Sequence, residues 1–210
     1  MAGARRSVPV LYSDPEALAS HRVRFVLEEK GIRYSCIDIP AGTRDEDLLG
    51  VNSSGSCPTL VDRELALYEA KVIIDYLDER YPHPPLMPMD PVSRARSRLA
   101  LYRLQRDWES LLPIQGTDVP ADKSAERLRA ALESSSEVFA MTPFFLSDEF
   151  SMLDAMLAPL LWRLPRYGIV LGELANPIGS YALRLFDRPA FQASLSDVER
   201  VMGKTGSAGE

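Results

Sequence analysis

Five prolines crowd one short stretch of the chain: Pro82, Pro84, Pro85, Pro88 and Pro91. Proline lacks the backbone donor that a helix or strand interior needs, and its ring clashes with the preceding helical turn. No regular element crosses such a run. The stretch therefore divides the 210 residues into two parts, and their hydrophobic rhythms differ.

Before the prolines, short strand patterns alternate with helical ones. Residues 8–12 read as a strand, and residues 20–30 as an amphipathic helix closed by Gly31. Residues 32–39 alternate again, with Tyr34, Cys36 and Ile37 in a strand-like run. A short helix is expected over 44–49, a Ser/Gly loop over 52–56, and paired strands over 59–61 and 65–68 turned at 62–64. Residues 69–80 form a clear helix whose apolar face is expected to carry Val72, Ile73, Tyr76 and Leu77. The order is β-α-β-α-β-β-α. After the prolines nearly everything reads as helix: 91–112, 123–139, 152–164, 177–186 and a short piece from Pro189. The expected organisation is an αβ domain over 1–81, a proline-rich linker over 82–91, an all-helical domain over 92–202, and a small polar tail over 203–210 that frays. The fold class is α+β.

Composition limits function more than fold. With 46% hydrophobic and 26% charged residues the chain is an ordinary globular protein. No apolar run approaches the roughly 20 residues of a membrane span, and residues 1–6 lack an apolar stretch behind them, so neither a membrane partner nor a secretory signal is expected. Cys36 and Cys57 stand apart in unrelated contexts. A disulfide framework or metal site is not expected, and a reducing cytoplasm fits. The net charge of −6 opposes direct nucleic-acid binding, which rests on Lys and Arg displacing counterions from phosphates. Arg94, Arg96, Arg98, Arg103 and Arg106 interleave with Leu99, Leu101, Tyr102 and Leu104 at helical spacing, which reads as a solvated helix face.

Three motifs carry a resemblance. Cys57-Pro58-Thr59-Leu60 lies just ahead of the second strand pair, Ser151-Met152-Leu153-Asp154 sets a Ser three positions before an acid at a helix start, and Ser20-His21-Arg22-Val23-Arg24 opens the first helix. In this order, on this αβ-then-helical plan, they resemble the glutathione transferases. The resemblance implies a thioredoxin-like first domain followed by an all-α second domain. It implies a cis bond at Pro58 that lets the Cys57 backbone face the cysteinyl unit of glutathione, and a Glu-Ser pair at the third helix that holds the γ-glutamyl end. Here that pair reads Glu69-Ala70. A missing hydrogen bond to a charged group costs about 1.5–3 kcal/mol. The family's thiolate-stabilising residue falls, by count from the first helix, on Ala17, Leu18 or Ala19, none of which has a side-chain donor. Tyr12 and Ser13 at the strand end are the nearest substitutes, so an active glutathione-dependent transferase using one of them is the alternative reading.

The run from Tyr76 to Pro88, with Pro82-His83-Pro84-Pro85 at its centre, matches no general transferase rule. Stiff prolines around one polar ring suit protein recognition, because they reduce the entropy lost on binding. The residues alone leave a rigid linker equally open. The run, together with Asp107-Trp108, resembles the branch of the transferase-like superfamily whose members associate with bacterial RNA polymerase. That resemblance implies a non-enzymatic transcription regulator of stationary phase and stress. It implies docking through Tyr81, Pro82, His83 and Pro84 on polymerase holoenzyme with its housekeeping sigma subunit, and a vestigial glutathione site at Cys57, Pro58, Glu69 and Ala70. It also implies no cofactor and a homodimer, with a heterodimer with a related chain left open.

Overall fold

A computed structural model describes residues 8–112, 121–172 and 175–204. The chain divides into two compact units, one of residues up to Pro84 together with Pro189–Arg200, the other of Pro85–Arg188 and the residues from Val201.

The first unit is built on a four-stranded sheet of order β2-β1-β3-β4, with β1 at Val10–Ser13, β2 at Ser35–Asp38, β3 at Thr59–Asp62 and β4 at Leu65–Tyr68. Strand β1 pairs in parallel with β2, Leu11 opposite Cys36, and antiparallel with β3, Leu11 opposite Leu60. Three helices belong to the same run of chain: α1 at Leu18–Glu29, α2 at Glu46–Val51 and α3 at Ala70–Arg80. Strand β2 is narrower than the alternation over 32–39 suggests, and all four of its residues are exposed at the sheet edge. On α3 the buried face is Ile73, Ile74, Leu77 and Asp78. Val72, expected inside, is half exposed, because the three-residue apolar run Val72-Ile73-Ile74 lets the helix choose which two it buries.

Helix α1 is buried from Ser20 through Leu27, four of those residues being polar. Its end follows from one glycine. Gly31 has φ +61°, its N–H bonds the Glu28 carbonyl at 3.0 Å, and the Ile32 N–H reaches back to Leu27 O at 3.0 Å. This is a Schellman termination, in which only a residue without Cβ adopts the left-handed step at no cost.

Two further helices belong to this unit wholly or in part: α9 at Pro189–Ser194, and α10 at Asp197–Lys204 as far as Arg200. The sequence reading assigns all of this to the helical domain. The placement follows from a buried polar cluster. Arg24 Nη2 donates to Glu199 Oε2 at 2.6 Å, its Nε to Ser194 O at 2.8 Å, and its Nη1 to Ser13 Oγ. His21 lies 3.1 Å from Ser194 Oγ and 3.5 Å from Glu199 Oε1. A buried guanidinium must find acceptors, and two of these three come from residues 170 and 175 positions away. Phe191 completes the contact, edge-on to Phe25 with ring centres 5.2 Å apart.

In the second unit α4 spans Pro91–Asp107, capped by Asp90, whose carboxylate accepts from Val92 N and Ser93 N. The helix expected to reach 112 instead tightens into a 3-10 turn over Glu109–Leu111. The segment expected as one helix over 123–139 is two, α5 at Ala121–Ser134 and α6 at Ser136–Met141. The hydroxyls of Ser134 and Ser135 both bond the Ala131 carbonyl, offering the backbone a local alternative to continuing. Helices α7 at Met152–Trp162 and α8 at Asn176–Phe186 complete the unit. The Ser151/Asp154 capping box is present, and the fully buried Asp154 also accepts from Phe145 N at 2.8 Å and Tyr181 Oη at 2.6 Å. On α4, Arg96, Arg98, Arg103 and Arg106 are exposed, as a solvated face requires, whereas Arg94, expected on the same face, is half-buried. The tail expected to fray begins inside α10, which runs to Lys204; the rest lies outside the described residues.

Candidate functional site

The cleft at the C-terminal end of β1 is where thiol chemistry would have to occur. Cys57-Pro58 is a cis peptide bond. The loop before it is fixed by Asn52, whose amide donates to Ser56 O, Ser56 Oγ and Thr59 Oγ1. Cys57 is half-buried and packs against a small cluster of Tyr12, Ile39 and Leu48. Burial first, then the carboxylates of Asp14 and Asp45 and the neighbouring Cys36, push its thiol up to about 11. The same physics raises the Tyr12 phenol, through burial and then Asp47 and Asp45. A low dielectric next to like charge disfavours the ionised forms of these two groups.

Of the two substitute side chains, one is packed through its ring and the other has its hydroxyl engaged. Tyr12 lies in the apolar cluster just named. Ser13 is fully buried and accepts the hydrogen bond from Arg24 Nη1. Ala17 is the N-cap of α1 and offers no side-chain cap, and Leu18 and Ala19 begin the helix. The Asp14 N–H is taken by Ser20 Oγ at 3.1 Å, and Asp14 Oδ1 accepts from Glu16 N at 2.9 Å, so this loop holds its own polar groups. Across the sheet, Glu69 caps α3 with φ +73°, a strained backbone for a side chain with Cβ, and makes no side-chain cap bond. Ala70 follows as the first helical residue.

The second place of interest is the turn after α3. Tyr81 is half-buried; Pro82, His83, Pro84 and Pro85 are exposed. His83-Pro84 is a second cis peptide bond. Next, Leu86 and Met87 turn inward and are buried in the second unit, where Leu86 O accepts from Met152 N at 2.8 Å. Among the described residues, His83 makes no hydrogen bond or ion pair. Beneath the turn lies a residue the sequence reading missed. Lys30, the C-cap of α1, donates from Nζ to Tyr81 O at 2.7 Å and to Pro84 O at 2.8 Å, and pairs with Asp78 Oδ1 at 2.8 Å.

The structure thus brings Cys57 and Pro58 together with Tyr12 in one corner, and groups Tyr81, Pro82, His83 and Pro84 on one turn. Among the described residues no His/Cys/Asp/Glu cluster fits a metal ion, and no helix is long and apolar enough to cross a membrane.

Comparison with known proteins adds to this geometry. The sequence pattern of glutathione S-transferase N-terminal domains matches residues 11–85, and that of the C-terminal domains matches residues 118–174. A stringent starvation protein A homolog of Haemophilus ducreyi is 43% identical over 195 residues, covering 91% of each chain. One from Coxiella burnetii is 42% identical over 198 residues, covering 93% of this chain and 95% of the relative. Among solved structures, the tau class glutathione S-transferase of mango superposes with a TM-score of 0.78 at 21% identity, covering 96% of this chain and 98% of that one.

Proposed function

The chain belongs to the stringent starvation protein A family, on the glutathione S-transferase fold, and from that premise we propose that it is a non-enzymatic transcription regulator that docks on bacterial RNA polymerase. Its surface for that purpose is the turn Tyr81-Pro82-His83-Pro84. The partner is polymerase holoenzyme, met through its housekeeping sigma subunit, and the outcome is altered promoter choice in stationary phase and stress, acid tolerance and virulence programmes included. The working form is a homodimer in the cytoplasm.

The observation that carries this reading is the contrast between the two places. Three features of the cleft count against thiol chemistry there: Ser13 is held by Arg24, the Tyr12 ring is packed, and the carboxylates of Asp14 and Asp45 act against an ionised sulfur at Cys57. The vestigial site at Cys57, Pro58, Glu69 and Ala70 keeps backbone features of a glutathione cleft without its hydroxyls. The turn shows exposed rings on a held backbone. A preorganised apolar patch around one polar ring loses little entropy on being gripped.

Capture from a bacterial lysate, with mass spectrometry of the bound polymerase and sigma subunits, tests it. The parent chain is expected to retain them, and the double variant His83→Ala, Pro84→Ala to lose them with its melting temperature unchanged. Equal capture by both would refute the assigned surface. One observation favours a glutathione-dependent transferase instead: the cis Cys57-Pro58 bond and the strained Glu69 are both in place. That reading requires turnover of a chlorinated aromatic substrate and retention on immobilised glutathione, and absence of both removes it.

A further inference from the structure

The geometry points to Lys30 as a positioning residue for the docking turn: its ammonium, with all three N–H bonds engaged, fixes the carbonyls of Tyr81 and Pro84 and so sets how Pro82 and His83 are presented. This rests on the docking reading above and adds a residue to it.

The Lys30 side chain is wholly buried, and its three partners lie at 2.7, 2.8 and 2.8 Å. Those lengths are those of charge-assisted bonds, the strong class. Two of the three go to backbone carbonyls that bracket His83, one on either side, so the clamp acts on the turn's backbone and leaves the exposed rings free. Proline supplies no N–H, so the turn residues have few donors of their own to tie them down. An external cation is the available substitute. Its position in turn depends on the way α1 ends. The left-handed step at Gly31 stops the helix at Lys30, and Asp78, in the last turn of α3, steers the ammonium from the other side. An ammonium can aim three bonds from one atom; the planar fork of arginine cannot.

The roles of ion pair and carbonyl clamp separate by mutation. Asp78→Asn removes the charge partner and leaves the two carbonyl bonds. Lys30→Met with Asp78→Asn removes the clamp without leaving a carboxylate buried beside an apolar side chain. The full chain is titrated with purified bacterial RNA polymerase holoenzyme, and its two histidines are followed by NMR. The buried His21 reports the fold and His83 reports the turn. Asp78→Asn is expected to bind within twofold of the parent, with His83 signals unmoved. The double variant is expected to keep the His21 signals, shift those of His83, and bind at least tenfold more weakly. A folded double variant with parent-like binding, when His83→Ala, Pro84→Ala is weak, overturns the positioning role and leaves the docking reading intact. Parent-like binding by every variant overturns both. If the double variant fails to fold, Lys30→Arg decides: it keeps a buried cation beside Asp78, and tenfold weaker binding supports the clamp while parent-like binding refutes it.

Discussion

Replacing Glu199 with alanine is expected to loosen α9 and the start of α10 from α1, and the structure sets the size of the effect. The Glu199 carboxylate accepts from Arg24 Nη2 at 2.6 Å and from Ser196 N at 2.9 Å, and lies 3.5 Å from His21 Nδ1. Both members of the ion pair are buried. Removing one partner of a buried pair leaves the other charge in a low dielectric, at a cost of about 3–5 kcal/mol. In a chain of this size that is roughly a 6–20 °C fall in melting temperature, at about 2–4 °C per kcal/mol. Arg24→Leu with Glu199→Leu should recover most of the loss, because apolar pairs replace buried ion pairs at little net cost. Calorimetry on the parent, Arg24→Leu, Glu199→Leu and the double gives the coupling directly. A fall of less than about 2 °C in Glu199→Ala, below what one kcal/mol produces, would refute the reasoning, as would a double variant as unstable as the sum of the singles.

Other consequences can be checked alongside. With its thiol pushed up to about 11, Cys57 should alkylate at pH 8 about tenfold more slowly than an ordinary cysteine, since a thiolate fraction lowered roughly a hundredfold is partly offset by higher intrinsic nucleophilicity; iodoacetamide labelling at an ordinary thiol's rate would contradict the burial argument. Asp154→Ala should cost about 3 kcal/mol or more in denaturant unfolding by orphaning the Phe145 N–H and the Tyr181 hydroxyl, and an unchanged midpoint would show the cap to be dispensable. Burial raises the Asp154 carboxyl against the hydrogen bonds that lower it. The folded state therefore holds that proton more tightly than the unfolded chain, so this group's contribution to stability is present at acid pH and declines as pH rises through its folded value; in Asp154→Asn that component of the pH profile should disappear. Tyr68 and Val72, 53% and 49% exposed on β4 and α3, are expected to lie in the contact of the proposed homodimer, so Tyr68→Glu with Val72→Asp should give a monomer by sedimentation, and a dimer that survives both changes would refute this contact.

Much of this molecule is written locally in its sequence. The proline run announces the change of unit near Pro84, because proline's effect on its neighbours needs no tertiary context. Gly31 closes α1 and Ser151/Asp154 opens α7 for the same reason: turn and cap chemistry act within a few residues. The face of α3 was less legible, since Val72, Ile73 and Ile74 all satisfy the pattern and only packing selects two of them. The break at Ser135 had a signal in its three consecutive serines, outweighed by the leucines and alanines before it. What could not be read locally are the long-range polar contacts. Arg24 meets Glu199 across 175 positions, and Lys30 meets Tyr81 and Pro84 across 51 and 54. No residue near either basic side chain announces its acceptors. For the site this matters more than for the fold: Ser13 looks available in sequence, and its burial beneath Arg24 is a tertiary fact.

One equilibrium titration tests polymerase docking most directly: the full chain against purified RNA polymerase, as core enzyme and as holoenzyme with its housekeeping sigma subunit. Saturable binding to holoenzyme, absent with core enzyme and weakened at least tenfold by His83→Ala, Pro84→Ala, is the expected result. Binding to holoenzyme that ignores the exposed turn, or no binding by the parent chain at all, would contradict it.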